Sequence, residues 1–201
     1  MARKAQPMAA DREARLFTAA AEEFLRFGFE TASLNRIIAA AEIPKSSFYH
    51  YFTDKQELHD RMMTALLSAV EDFVQPPQLD ALDRESYWPA IATLLGDVTR
   101  MAQERPVTVE LARLFHALPD GVDSSVDELR RSARAWSDAA LRRGAELGAV
   151  RTDLQRELLA DIVFSVLLTL DRWALRTGAA AKAEPEMQLA LRSLRRFVEG
   201  D

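Results

Sequence analysis

The chain contains no cysteine. That excludes disulfides, thiolate metal sites and thiol redox sensing, and suits a reducing cytoplasm. Its three histidines, His50, His59 and His116, include no pair at metal-binding spacing, so no metal site is expected. Glycine (7) and proline (8) are sparse, β-branched runs are few, and Ala, Leu, Arg and Glu dominate, a balance that favours helix. No uncharged apolar run approaches the roughly 18 residues a bilayer span needs; the stretch from Ile162 to Leu170 is too short. The opening segment, MARKAQPMAADREAR, lacks the apolar core of a secretory signal. Neither a G-x-S-x-G elbow nor a phosphate or dinucleotide loop occurs, so no catalytic residue and no cofactor is expected.

What remains is a helical chain of 201 residues, 48% hydrophobic and 28% charged, enough for one large or two smaller domains. Its net charge of −5 argues at first against a nucleic-acid partner. Binding follows the local field rather than the total, however. Arg3 and Lys4 lie on an N-terminal arm, and Arg36, Lys45 and Lys55 cluster further on. Glu22, Glu23, Glu30, Glu42, Glu57 and Asp60 share that region, so moderate affinity with strong salt dependence is expected.

Periodicity and breaks predict nine helices. The first runs from Asp11 to Phe27, with Phe17, Ala20, Ala21 and Phe24 inward and Gly28 as its stop. Ser33 to Ala41 and Pro44 to Tyr51 follow. The fourth starts at Thr53 or Asp54, where Thr53 with Gln56 or Asp54 with Glu57 makes a capping signature, and ends before Pro76-Pro77. Gln78 to Glu85 reads as a polar loop. The fifth helix carries Trp88 to Met101, and the sixth begins at Pro106. The seventh spans Ser124 to Leu147, the eighth Leu154 to Thr177, and the ninth begins near Pro185. Pro119-Asp120-Gly121 reads as a turn and Ala179-Ala180-Ala181 as a linker. The eighth helix is apolar almost all round, from Leu158 through Leu170. Such a helix is either central in a large core or covered by another chain.

Residues 31 to 58, TASLNRIIAAAEIPKSSFYHYFTDKQEL, are the most informative stretch. A supporting helix, a short break at Glu42-Ile43 and a second helix make a helix-turn-helix layout. The second helix crowds Lys45, Ser46, Ser47, Tyr49, His50 and Tyr51 onto one short element, donors suited to phosphates and base edges in a DNA groove. Phe48 and Phe52, spaced i, i+4, are expected to anchor it inward. Thr31 and Ser33 stand where a helix N-cap or a bound phosphate uses the same donors.

This segment resembles the DNA-binding domain of the TetR (tetracycline repressor) family of bacterial transcriptional regulators. Thr31, Ser33, Ile37, Ile38, Ala39, Ala41, Ile43, Tyr49, Tyr51, Phe52, Lys55 and Leu58 carry the resemblance. Glu42 stands where the family has a turn glycine, and Pro44 where it has a small serine. A non-glycine residue at positive φ costs about 1–2 kcal/mol, which leaves another turn shape open.

The resemblance implies an all-α fold: a three-helix DNA-binding domain over residues 1–54 and a helical effector-binding and dimerisation bundle over 55–201. It implies DNA contacts from Thr31, Ser33, Lys45, Ser46, Ser47, Tyr49, His50, Tyr51 and Lys55. An effector pocket is implied among the fourth to eighth helices, lined by Met62, Leu66, Trp88, Leu95, Phe115, His116, Trp136 and Phe164. Arg113 and Asp138 are further polar candidates there. A homodimer interface is implied at Leu159, Val163, Val166, Leu170, Trp173, Leu191 and Leu194. The implied partners are a near-palindromic double-stranded operator, a small-molecule effector and a second copy, with no membrane, in the cytoplasm. Two rival functions are a helical protein–protein adaptor that has lost DNA binding, and a helical-bundle enzyme acting on a small apolar substrate.

Overall fold

The computed structural model describes residues 8–118, 124–178 and 185–200. Among these the chain forms nine α-helices and no strand. They are α1 (Ala10–Thr31), α2 (Leu34–Ala40), α3 (Lys45–Tyr51), α4 (Lys55–Phe73), α5 (Arg84–Glu104), α6 (Val107–Ala117), α7 (Ser124–Glu146), α8 (Arg156–Thr177) and α9 (Pro185–Glu199). The predicted loop from Gln78 to Glu85 contains a 3-10 turn, Leu79–Ala81. The basic arm at Arg3 and Lys4, the turn at Pro119-Asp120-Gly121 and the alanine linker lie outside the described residues. No described helix is long and apolar enough to cross a membrane.

Helix ends obey the expected chemistry. Gly28 interrupts α1 at φ 72, ψ 159, and a last helical turn follows it through Thr31. Gly178 closes α8 in the left-handed conformation, which costs glycine nothing because it lacks a Cβ. At the start of α4, Asp54 Oδ1 accepts the Glu57 N–H at 2.9 Å. Glu57 reaches back to the Thr53 N–H at 2.7 Å and accepts its hydroxyl at 2.8 Å. Asp83 and Ser86 exchange the same kind of bonds before α5.

Packing divides the chain into two compact units. The first comprises Met1–Ala69 and Arg105–Val122. It therefore takes in most of α4 and all of α6, which packs along α1. Its core holds Leu16, Phe17, Phe24, Ile37, Phe48, Phe52, Leu58 and Met62. Phe48 and Phe52 stack with centroids 5.2 Å apart, pinning α3 by its inner face.

The second unit comprises Val70–Glu104 and Asp123–Asp201. Tyr87, Leu141, Ala149, Val150, Leu159, Ala160, Val163 and Val198 form its core, with Trp88, Leu167 and Leu194 packed against it. Leu159 and Val163, expected at a dimer face, are thus taken up inside the unit, at 2% and 9% exposure. Burial pushes the Tyr87 hydroxyl up to about 12; it donates to the Ala140 carbonyl at 3.0 Å.

The closest approach in this unit is at Gly144. A Cβ there would stand 2.4 Å from Val150 Cγ2 and 2.7 Å from the Tyr87 ring and hydroxyl. Gly144→Ala is therefore expected to lower stability by about 1–3 kcal/mol, the usual cost of overpacking. Thermal unfolding followed by circular dichroism checks this, since an unchanged or raised melting temperature would mean the core absorbs the methyl.

Candidate nucleic-acid interface

Seven residues make α3, and its exposure pattern sorts them. Lys45, Ser46, Tyr49 and His50 are exposed on one face, while Ser47 and Tyr51 are half-buried at its margins. Among the described residues, no hydrogen bond or ion pair engages the side chains of Lys45, Ser46, Tyr49 or His50. Tyr49 is half open to solvent, at 51% exposure. It lies edge-on to the buried Phe48 ring, 5.4 Å away. His50 and Tyr51 meet edge-to-face at 4.8 Å. A stiff helix held from beneath by two phenylalanines thus presents an ammonium, hydroxyls and an imidazole outward, a set that can meet phosphates and base edges.

The turn ahead of α3 keeps a left-handed shape without glycine. Glu42 adopts φ 55. The Glu42 N–H bonds the Ala39 carbonyl at 3.2 Å, and the Ile43 N–H bonds the Ile38 carbonyl at 3.1 Å. This pair of bonds is the Schellman termination of a helix, with Glu42 at its left-handed position and the buried Ile43 beyond. Gly148 closes α7 with the same pair, its N–H on Ala145 and the Ala149 N–H on Gly144. Pro44 then serves as N-cap of α3.

The connection between α1 and α2 gives Lys55, Ser33 and Thr31 partners within the chain. Lys55 lies on the first turn of α4, yet its Nζ donates to the carbonyls of Phe29 at 2.5 Å, Glu30 at 2.8 Å and Ala32 at 3.3 Å. An ammonium has three protons to give, and three carbonyls of the chain converge on this one. At the start of α2 the Ser33 N–H is already taken by the Glu23 carboxylate at 2.7 Å. Glu23 also receives Arg36 Nε at 2.9 and 3.1 Å, as well as its Nη2. Ser33 Oγ caps α2 by accepting the Arg36 N–H at 3.4 Å, and the Thr31 hydroxyl donates to the Phe27 carbonyl. Arg36 stacks 4.5 Å over the exposed Phe27 ring. Sequence reasoning passes over Glu23, 13 residues from its partner, and over Asn35, exposed in the first turn of α2.

The expected effector residues fall in both units. Met62 and Leu66 are buried in the first, where Phe115 and His116 are half-buried. Arg113 there pairs with Glu110 at 2.8 Å. Trp88, Leu95, Trp136, Asp138 and Phe164 are half-buried in the second. Arg195 covers the Trp88 ring at 4.9 Å and Arg134 the Phe164 ring at 5.2 Å. A depression of about 260 Å³ in the second unit is lined by Leu141, Ala145, Val150, Leu154 and Leu159 among others, and by none of the expected residues. On α8, Leu158, Ile162, Val166, Leu170 and Trp173 form a partly open apolar stripe at helical spacing. Leu191 is half-buried on α9. No group of metal-ligating side chains occurs among the described residues.

Residues 16–62 match the family described as bacterial regulatory proteins, tetR family. The chain is 30% identical over 154 residues to the HTH-type transcriptional repressor DhaR of Mycobacterium sp. (strain GP1), covering 71% of each chain. It is 22% identical over 167 residues to the uncharacterized HTH-type transcriptional regulator YhgD of Bacillus subtilis (strain 168), covering 81% of this chain and 84% of that one. A TetR family transcriptional regulator from Chloroflexus aurantiacus J-10-fl shares its fold with TM-score 0.67 at 20% identity, over 96% of this chain and 93% of that one.

Two outcomes follow from the geometry. Glu42→Gly removes a left-handed side chain and is expected to raise the stability of the first unit by about 1 kcal/mol, after glycine's own entropic cost. Urea unfolding measures this, and a lowered midpoint would show that Glu42 is unstrained. The second concerns acid. Arg36 and the Ser33 N–H hold the Glu23 carboxyl below its ordinary 4.5, and the Thr53 N–H and hydroxyl do the same for Glu57. A depressed carboxylate stabilises the fold above its unfolded pKa and ceases to as pH falls through the folded value. The melting temperature should therefore fall below about pH 4.5, with a smaller fall in Glu23→Gln.

Proposed function

Because the chain belongs to the TetR family of bacterial transcriptional regulators, we propose that it is a homodimeric repressor that a small-molecule effector releases from a near-palindromic operator. The observation that carries the DNA reading is the outer face of α3, where the side chains of Lys45, Ser46, Tyr49 and His50 stand exposed with no hydrogen bond or ion pair among the described residues. In this reading residues 1–54 dock on DNA, with Ser47 and Tyr51 at the rim of the contact, and 55–201 bind effector and dimerise. A dimer sets two such helices into successive major grooves, roughly 34–36 Å apart or a multiple of that. The relative named a repressor supports the sign of regulation. The half-open stripe of Val166, Leu170 and Trp173 on α8, with Leu191 and Leu194 on α9, supports the dimer. Trp88, Leu95, Trp136 and Phe164 remain the candidates to meet an effector in the second unit. An effector releases DNA by binding one arrangement of the dimer more tightly than the other. The family regulates transcription and is not enzymatic.

Tyr49→Ala is expected to abolish specific operator binding, with helicity and dimerisation unchanged. A mobility-shift titration against the upstream region of its own gene tests this. Binding equal to the parent would mean that α3 is not the reading element. Val166→Glu or Leu170→Glu should give folded monomers that have lost DNA binding, because an unpaired charge in an apolar interface costs about 3–5 kcal/mol. Light scattering reads the mass directly, and a persistent dimer would place the interface elsewhere.

A further inference from the structure

The last turn of α1 and the two residues that join it to α2 are gripped by two groups of opposite charge. From α4, the Lys55 ammonium holds the carbonyls of Phe29, Glu30 and Ala32 and stands 4.8 Å over the Phe29 ring. From α1, the Glu23 carboxylate, at 8% exposure, holds the Ser33 N–H and the Arg36 guanidinium. The cation meets the carbonyls that close α1, and the anion meets the amide that opens α2. Each charge is therefore matched to the helix end it serves.

We infer that Lys55 and Glu23 are positioning residues for DNA binding: they fix the connector, and with it Ser33 and the start of α2, and neither touches DNA. The inference rests on the DNA-binding reading of α3. Thr31 has spent its proton on the Phe27 carbonyl, whereas Ser33 Oγ only accepts, from the Arg36 N–H. The hydroxyl left to donate outward is that of Ser33, and the clamp sets where it points. For Lys55 to reach a phosphate it would have to exchange three acceptors for one and leave the last carbonyls of α1 unmet.

A contact residue and a positioning residue answer differently to substitution. Loss of a phosphate contact lowers the slope of log K against log salt by about 0.9 per protomer, and loss of a clamp leaves it unchanged. Arginine replaces lysine well at a phosphate, but its planar fork does not match three converging carbonyls. Removing the negative charge of Glu23 would strengthen binding to a polyanion if charge alone mattered.

The test uses the full chain, an operator duplex selected from random-sequence DNA with the parent protein, and an unrelated duplex of equal length. Lys55→Gln, Lys55→Arg and Glu23→Gln are each expected to weaken operator binding about tenfold, a difference of about 1.4 kcal/mol. Their salt slopes should match the parent's. The double variant Glu23→Gln/Lys55→Gln should lose little more than the weaker single one, since both act through one connector. Circular dichroism and melting temperature identify any variant that fails to fold, and Glu23→Gln and Lys55→Arg retain the test if Lys55→Gln does. The inference is overturned by parental binding in Lys55→Arg, by a slope reduced by about 0.9 per protomer in Lys55→Gln, or by Glu23→Gln binding as tightly as the parent. Tyr49→Ala runs alongside. If it too binds like the parent, the DNA reading of α3 fails; if it alone loses binding, only the clamp does.

Discussion

The carbonyls that end α1 point at a lysine ammonium, and the segment beyond them is arranged around that contact. The Phe29 ring lies under the same ammonium and against Phe24 and His59, at 5.4 Å from each. Lys55 and His59 are one turn apart on α4, so one helix supplies both the charge and the aromatic partner. Helix termini leave their last carbonyls without intrahelical partners. Here a single side chain satisfies that need and joins α4 to the end of α1.

The local electrostatics explain how an acidic chain leaves an exposed cation on α3. The net charge of −5 is a sum over the whole molecule. Glu23 and Glu57, which crowd the same region of sequence, are spent internally on Arg36, Ser33 and Thr53. Their charges are tied to the α1–α2 and α3–α4 connections, while Lys45 on α3 is left without a counter-ion among the described residues. What a ligand meets is set by which charges the fold has already neutralised.

Much of this was legible in the sequence because it is local. Gly148 and Gly178 stand just past helix ends, whereas Gly28, expected to stop α1, only breaks it one turn before Thr31; each adopts positive φ. The i, i+4 spacing of Phe48 and Phe52 placed them inward, leaving Tyr49 between them facing out. The sequence marked Lys55 as a cation beside the helix-turn-helix and carried no sign of its partners within the chain. The carbonyls it meets are 23 to 26 residues away, and no spacing rule reports where one helix end will arrive beside another. The pair of Glu23 and Arg36 was hidden for the same reason. On α8, the apolar pattern ran almost all round, so periodicity did not separate Leu159 and Val163, which the unit's own core absorbs, from the half-open Val166 and Leu170.

The two Schellman turns differ in one residue, and the difference reaches beyond the folded state. At Gly148 the unfolded chain is free to visit both halves of backbone space, and folding must confine it. At Glu42 the side chain already forbids most of that space, so less disorder is surrendered when the turn closes. A strained native conformation and a restricted denatured one act in opposite directions on the same residue. The turn between α2 and α3 is thus set by a balance between ensembles, which the contacts of the folded chain alone do not display.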